Sequence, residues 1–207
     1  ADDSWALVDT LGFDRIDLLG HSMGGMVAQV MALVEADRLR SLVLMNTAGG
    51  RLEQLDPEVA AVGADLARTV GLAELNQILE GLRTTPRPPS EERVRAERPG
   101  YVEFGVRKLL ASSPAMYAAM AVGMARVEDR LDALSRLDLP TLVVVGAEDD
   151  EFLGSSRALA EAIPGARLEV IDDAAHSPQF ENPDRWWKVV TRFLDEVRAD
   201  SPSPDRG

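Results

Sequence analysis

The sequence predicts an α/β protein built on a parallel sheet, and three observations carry that prediction. Short runs of Val and Leu, LVLM at 42–45 and LVVV at 142–145, are apolar at successive positions, as expected for strands covered on both faces. Gly and Pro lie at their ends, which favours strands over segments of buried helix. Stretches of helical length and period separate the runs, and strand-helix-strand alternation pairs strands in parallel.

Each element follows in order. Ser4 to Leu11 predicts a helix with Trp5, Val8 and Leu11 on one side and Gly12 as its stop. Ile16 to Leu19 reads as the first strand. Met23 to Leu33 reads as a helix whose first glycines, Gly24 and Gly25, let it pack close to the sheet. Ser41 to Met45 is the second strand, followed by turn residues Asn46 to Gly50. Thr141 to Val145, after Pro140, is the third, and Ala166 to Ile171, after Pro164 and Gly165, the fourth. Helices over Gly154–Ala162 and Pro183–Arg198 separate and follow these two.

Between the second and third strands, residues 51–137 are helical in pattern, with a break at RTTPRPPS (83–90). That is too long for a plain crossover, and structureless loops of such length are rare in compact domains, so an inserted helical layer is expected. The predicted organisation is an α/β core from 1–50 and 138–199, a helical insertion over 51–137, and a flexible tail over 200–207. Met116, Met120 and Met124 recur at i, i+4 and i+8; the face they form reads first as core packing and second as an adaptable pocket wall.

Composition narrows the function. The 207 residues are 45% apolar and 28% charged, the balance of a globular domain. No apolar stretch approaches the roughly 20 residues that span a bilayer, and the N-terminus has no basic region leading into an apolar one, so a cytoplasmic protein without membrane partners is expected. A net charge of −13 repels a phosphate backbone, so nucleic acid is not expected as a partner. Cysteine is absent, which removes disulfides, thiol nucleophiles and Cys-based metal sites. With two histidines, His21 and His176, and no D-x-D-x-D-G loop or H-E-x-x-H helix, neither metal nor cofactor is expected.

The candidate chemistry starts at GHSMG (20–24), which fits G-x-S-x-G, the tight strand-to-helix turn that holds a serine oxygen above a sheet. At ordinary Gly and Ser usage the bare pattern arises by chance in roughly one chain in ten of this length, so its surroundings decide. A serine needs a base, and the base an orienting partner. His21 adjoins Ser22, and neighbours at such a turn point in different directions, which leaves His176 as the better base. His176 lies in DDAAHSP (172–178), just after the fourth strand, on the sheet edge where ligand sites form. The third strand runs into GAEDD (146–150) on that same edge. Asp149 is the first choice for the acid; Asp150, Glu148, Asp172 and Asp173 are alternatives, each also readable as a helix cap or a solvated charge. The second strand ends in Met45-Asn46-Thr47 and offers no carboxylate.

With Ser, Asp and His in that order, the chain resembles the α/β-hydrolase fold superfamily. The resemblance rests on LLGHSMGG, RLRSLVLMNTAG, LPTLVVVGAEDD and AAHSPQFENPDRW: the nucleophile turn, the next strand, the acid turn and the histidine loop. It implies Ser22 as nucleophile, His176 as base, Asp149 as orienting acid, the backbone N–H of Met23 as an oxyanion donor, and 51–137 as a helical cap. It implies hydrolysis of an ester, lactone or related carbonyl compound, as in the capped esterase, enol-lactonase, carbon-carbon hydrolase and cofactor-free peroxidase branches. Ser22 disfavours branches with an aspartate nucleophile. A non-catalytic, receptor-like binding protein is the alternative from another class. The Leu, Val, Ala and Met of 51–137 suggest a small to medium apolar carbonyl substrate.

The chain departs from the family in one respect. The family has several strands before the nucleophile strand, and a loop among them gives a second oxyanion donor, whereas this sequence starts in the preceding helix. The expectation is the C-terminal part of a longer hydrolase, or first strands supplied by another chain, with weak or no turnover as it stands, since one lost donor costs about a hundred- to thousand-fold elsewhere.

Overall fold

Apolar side chains at successive positions require cover on two sides, and the second strand has it. In the computed structural model, which describes residues 1–52 and 55–200, the strands are β1 (Ile16–His21), β2 (Leu39–Met45), β3 (Thr141–Gly146) and β4 (Arg167–Ile171). They form one parallel sheet in the order β1-β2-β3-β4. Around it run α1 (Asp2–Thr10), α2 (Met23–Val34), α3 (Pro57–Thr69), α4 (Gly71–Leu82), α5 (Pro89–Glu97), α6 (Tyr101–Leu110), α7 (Pro114–Ala125), α8 (Leu131–Leu134), α9 (Asp150–Ala162), α10 (Pro178–Glu181) and α11 (Pro183–Asp200).

The two faces of the sheet split its side chains by the two-residue period of a strand. Leu42, Leu44 and Val143 pack on one face with Ala28 and Met31 of α2, Leu134 of α8 and Leu159 of α9. Val43, Met45, Leu142 and Val144 pack on the other with Val189, Phe193 and Val197 of α11. Each side chain of this kind that leaves water contributes about 1.5–3 kcal/mol, so the central strands are where the fold is anchored. Because all four strands point the same way, their C-terminal residues His21, Met45, Gly146 and Ile171 end on one edge of the sheet, and so do the loops that follow.

The chain divides into two compact units, Gly50–Asp129 and the rest. In the Gly50–Asp129 unit, Ala64 and Ala67 of α3, Leu72 and Leu75 of α4, and Ala118 of α7 form a core of mostly small side chains that lets the helices come close. Two of its helices start by the same device: Asp56 accepts the N–H of Glu58 at 2.7 Å ahead of Pro57, and Ser113 accepts that of Met116 at 3.4 Å ahead of Pro114. No described helix is long and apolar enough to cross a membrane.

Four expectations need correction in detail. Leu11 lies just past the end of α1 and is 59% exposed, while Trp5 and Val8 are buried as a pair one turn apart. Residues 130–137 belong with the α/β unit, where Leu134 and Leu137 join the core against β2 and β3. Met116 and Met120 are 46% and 41% exposed, and α7 buries Ala118 and Ala125 instead. Gly24 does not provide the close approach of α2, for a Cβ there would meet nothing within 4 Å. The expected tail lies outside the described residues, apart from Asp200, which ends α11.

Candidate active site

The site forms where β1 turns into α2. Ser22 has φ 55° and ψ −124°, a conformation that costs a non-glycine residue of order 1–3 kcal/mol and persists only when its surroundings fix it. Hydrogen bonds supply that constraint. Ser22 N–H donates to the Met45 carbonyl at 2.9 Å, and the Ser22 carbonyl accepts from Gly25 N–H at 2.9 Å and from Thr47 Oγ1 at 2.8 Å. Two glycines allow the close fit. A Cβ on Gly20 would collide with the Gly24 carbonyl oxygen and lie 2.7 Å from Gly25 Cα, and one on Gly25 would lie 2.6 Å from the Thr47 side chain.

Ser22 Oγ lies 3.0 Å from His176 Nε2, and His176 Nδ1 lies 2.9 Å from Asp149 Oδ2. An ionised carboxylate only accepts, so Nδ1 carries the imidazole hydrogen and Nε2 is left to accept from the serine hydroxyl. Asp149 is 6% exposed, so its bond to His176 is shielded from water, while 42% of the His176 side chain is reachable from solvent. Asp150 begins α9 and is exposed, as are Asp172 and Asp173; Glu148 is bound through its backbone N–H to the Ala174 carbonyl at 2.8 Å. Among these carboxylates, Asp149 is the one that meets His176 Nδ1. Met23 is the first residue of α2, where an N–H has no partner inside the helix.

Three further residues hold this chain of bonds, and sequence reasoning missed them. Asn46, fully buried at φ 45°, donates through Nδ2 to Asp149 Oδ2 at 2.5 Å and to the Ala175 carbonyl at 2.9 Å. Glu181, 5% exposed, accepts the backbone N–H groups of Ala175 at 2.6 Å and Ser177 at 3.1 Å through Oε2. His21 is not the base but still reaches the same loop: its Nε2 lies 2.6 Å from the His176 carbonyl oxygen. The absence of a carboxylate after β2 drew attention from Asn46, and the Glu181 contact depends on how the loop of residues 172–177 curls back on α10. Phe152 of α9 packs its ring 5.0 Å from that of His176. Among the described residues, no group of three or more His, Asp or Glu side chains is placed to hold a metal ion.

Comparison with known proteins agrees with this architecture. Residues 1–183 match the family described as alpha/beta hydrolase fold. A 2-hydroxymuconate semialdehyde hydrolase from Pseudomonas sp. (strain CF600) is 30% identical over 204 residues, which are 96% of this chain and 68% of that protein. Among solved structures, a thermophilic esterase from Thermogutta terrifontis superimposes with a TM-score of 0.76 at 30% identity, over 92% of this chain and 69% of that one. The enol-lactonase from Burkholderia xenovorans LB400 does so with a TM-score of 0.75 at 31% identity, over 93% of this chain and 70% of that one. These similarities support a hydrolase, and with a family match that spans both the nucleophile turn and the histidine loop, the chain belongs to the alpha/beta hydrolase fold family.

Proposed function

We propose that the protein is a serine hydrolase that transfers the acyl group of a small to medium apolar carbonyl compound, an ester, lactone or related substrate, to water. The observation that carries this reading is the hydrogen-bonded sequence Ser22 Oγ, His176 Nε2, His176 Nδ1, Asp149 Oδ2 on a strained turn. Ser22 Oγ attacks the carbonyl carbon while His176 Nε2 takes its proton; Asp149 fixes the imidazole and stabilises the cation that forms. The Met23 N–H donates to the developing oxyanion. His176 then protonates the leaving oxygen, and water, activated by the same nitrogen, attacks the acyl-serine and releases the acid. The steps use the side chains of Ser22, His176 and Asp149 and the backbone N–H of Met23.

An apolar acyl group is supported by the predominance of Leu, Val, Ala and Met in residues 51–137. Ser22→Ala tests the reading on p-nitrophenyl esters: loss of whatever hydrolysis the unsubstituted chain shows, and of its labelling by a fluorophosphonate, is expected, and hydrolysis and labelling that stay unchanged refute it. Relatives named 2-hydroxymuconate semialdehyde hydrolase favour a second reading, cleavage of a carbon-carbon bond beside a carbonyl by the same groups. Rates on that semialdehyde, a lactone and short-chain esters separate the two.

A further inference from the structure

His21 has no part in the chemistry proposed above, yet it adjoins Ser22 in the chain and touches His176. It is the last residue of β1, directly before Ser22, and its ring lies 5.0 Å from that of His176, tilted by 43°. Its Nε2 is 2.6 Å from the His176 carbonyl oxygen. A carbonyl has no proton to give, so Nε2 of His21 carries the hydrogen and donates it.

The loop that carries His176 lies between β4 and α10, so neither a sheet ladder nor a helix fixes its backbone. It is tied group by group instead. The Ala174 carbonyl accepts from Glu148 N–H at 2.8 Å, the Ala175 N–H and Ser177 N–H donate to Glu181, and the Ala175 carbonyl accepts from Asn46. These ties lead to the acid turn, to α10 and to the end of β2. The bond from His21 to the His176 carbonyl leads to the strand that carries the nucleophile.

We propose that His21 is a positioning residue, whose Nε2–H clamps the His176 backbone to β1 and so sets the approach of His176 Nε2 to Ser22 Oγ. The proposal rests on the reading of Ser22 as nucleophile and His176 as base. Without the clamp the loop keeps its other ties, so the fold survives while the distance between nucleophile and base is no longer fixed from the nucleophile's side. Misplacement of reacting groups by about 1 Å is enough to cost on the order of a hundred-fold in rate.

Three variants separate the clamp from general packing. His21→Phe keeps a ring and loses the donor; His21→Gln places an amide N–H at the same number of bonds from Cβ as Nε2; His21→Asn has a donor that falls short of the carbonyl. On p-nitrophenyl butyrate, His21→Phe and His21→Asn are expected to lower kcat at least about ten-fold with KM within about two-fold, and His21→Gln to stay within about three-fold of wild type. Packing alone would instead weaken Phe least and would not be rescued by Gln. Because the chain has only His21 and His176, a two-bond proton-nitrogen spectrum of ¹⁵N-histidine protein assigns both rings, and it must show His21 with hydrogen on Nε2. Hydrogen on Nδ1 alone, wild-type kcat in both His21→Phe and His21→Asn, or His21→Gln as impaired as they are, overturns the proposal. Ser22→Ala run alongside tests the hydrolase reading separately: should it keep full turnover, that reading fails, and the tautomer of His21 alone then decides the clamp.

Discussion

Gly20 and Gly24 flank the same serine, yet the structure assigns them opposite sensitivities. A Cβ on Gly20 would lie 2.7 Å from Gly25 Cα and 2.8 Å from Ala28 Cβ, and closer still to the Gly24 carbonyl oxygen. Ordinary contact begins near 3.4 Å, so β1 and α2 must separate by roughly 0.7 Å or more, and the obstacles are backbone and a Cβ, which have no rotamer to yield. Overpacking of this kind costs about 1–3 kcal/mol. The shift falls on the turn that places Ser22 Oγ 3.0 Å from His176 Nε2, so the serine should also react more slowly, by up to about a hundred-fold. At Gly24 a Cβ meets nothing within 4 Å and the backbone is not in the left-handed region, so Gly24→Ala should be neutral or stabilising by up to about 1 kcal/mol. Urea unfolding of both variants gives the stability difference, and the rate of labelling by a fluorophosphonate gives the effect on Ser22. If Gly20→Ala unfolds and labels like wild type, or Gly24→Ala is as damaged as Gly20→Ala, the packing argument for this turn is wrong.

Other residues make comparable demands. Burial raises the Asp17 carboxyl, but hydrogen bonds from Arg40 at 2.9 Å and from the buried Ser41 hydroxyl at 2.8 Å outweigh it and hold the group below the usual carboxylate range. A depressed folded value means stability that is present above the unfolded pKa and lost as pH falls through the folded one; the destabilisation of Asp17→Asn, about 1–3 kcal/mol at neutral pH by urea unfolding, should therefore shrink from about pH 4 downwards. Glu181→Ala leaves the Ala175 and Ser177 N–H groups without their acceptor and should cost about 2–4 kcal/mol in the same assay, with Glu181→Gln recovering part of it. Asn46→Asp places a second carboxylate 2.5 Å from Asp149 Oδ2; the pair must hold a proton to coexist, so stability at neutral pH should fall by about 2–4 kcal/mol and recover as the pH is lowered towards 5 (about), read from thermal midpoints.

The parts of the fold that were legible in the sequence are those set by local pattern. Runs such as LVVV between Pro140 and Gly146 reveal a doubly covered strand, and parallel strands place their following loops on one edge, which is why Ser22, Asp149 and His176 could be picked from three distant segments. What stayed hidden depends on backbone angles and on loops closing over one another. Asn46 matters because φ 45° turns its amide under Asp149, and no letter near it signals that angle. His21 was expected to point elsewhere because chain neighbours at a sharp turn diverge; Ser22 and His21 do diverge, but they reach the ring and the backbone of the same residue. The methionine spacing at 116, 120 and 124 marked a face of α7 without saying which face the unit buries, and the small Ala118 and Ala125 allow the closer approach.

Reaction of the protein with a fluorophosphonate, followed by intact mass and peptide mapping, tests the central claim most directly, since it reads which oxygen is the nucleophile without depending on the substrate. One adduct per chain on Ser22, absent in Ser22→Ala and slowed at least about a thousand-fold in His176→Gln, is the predicted result. An adduct on another residue, or labelling of Ser22 that is indifferent to His176, would contradict it.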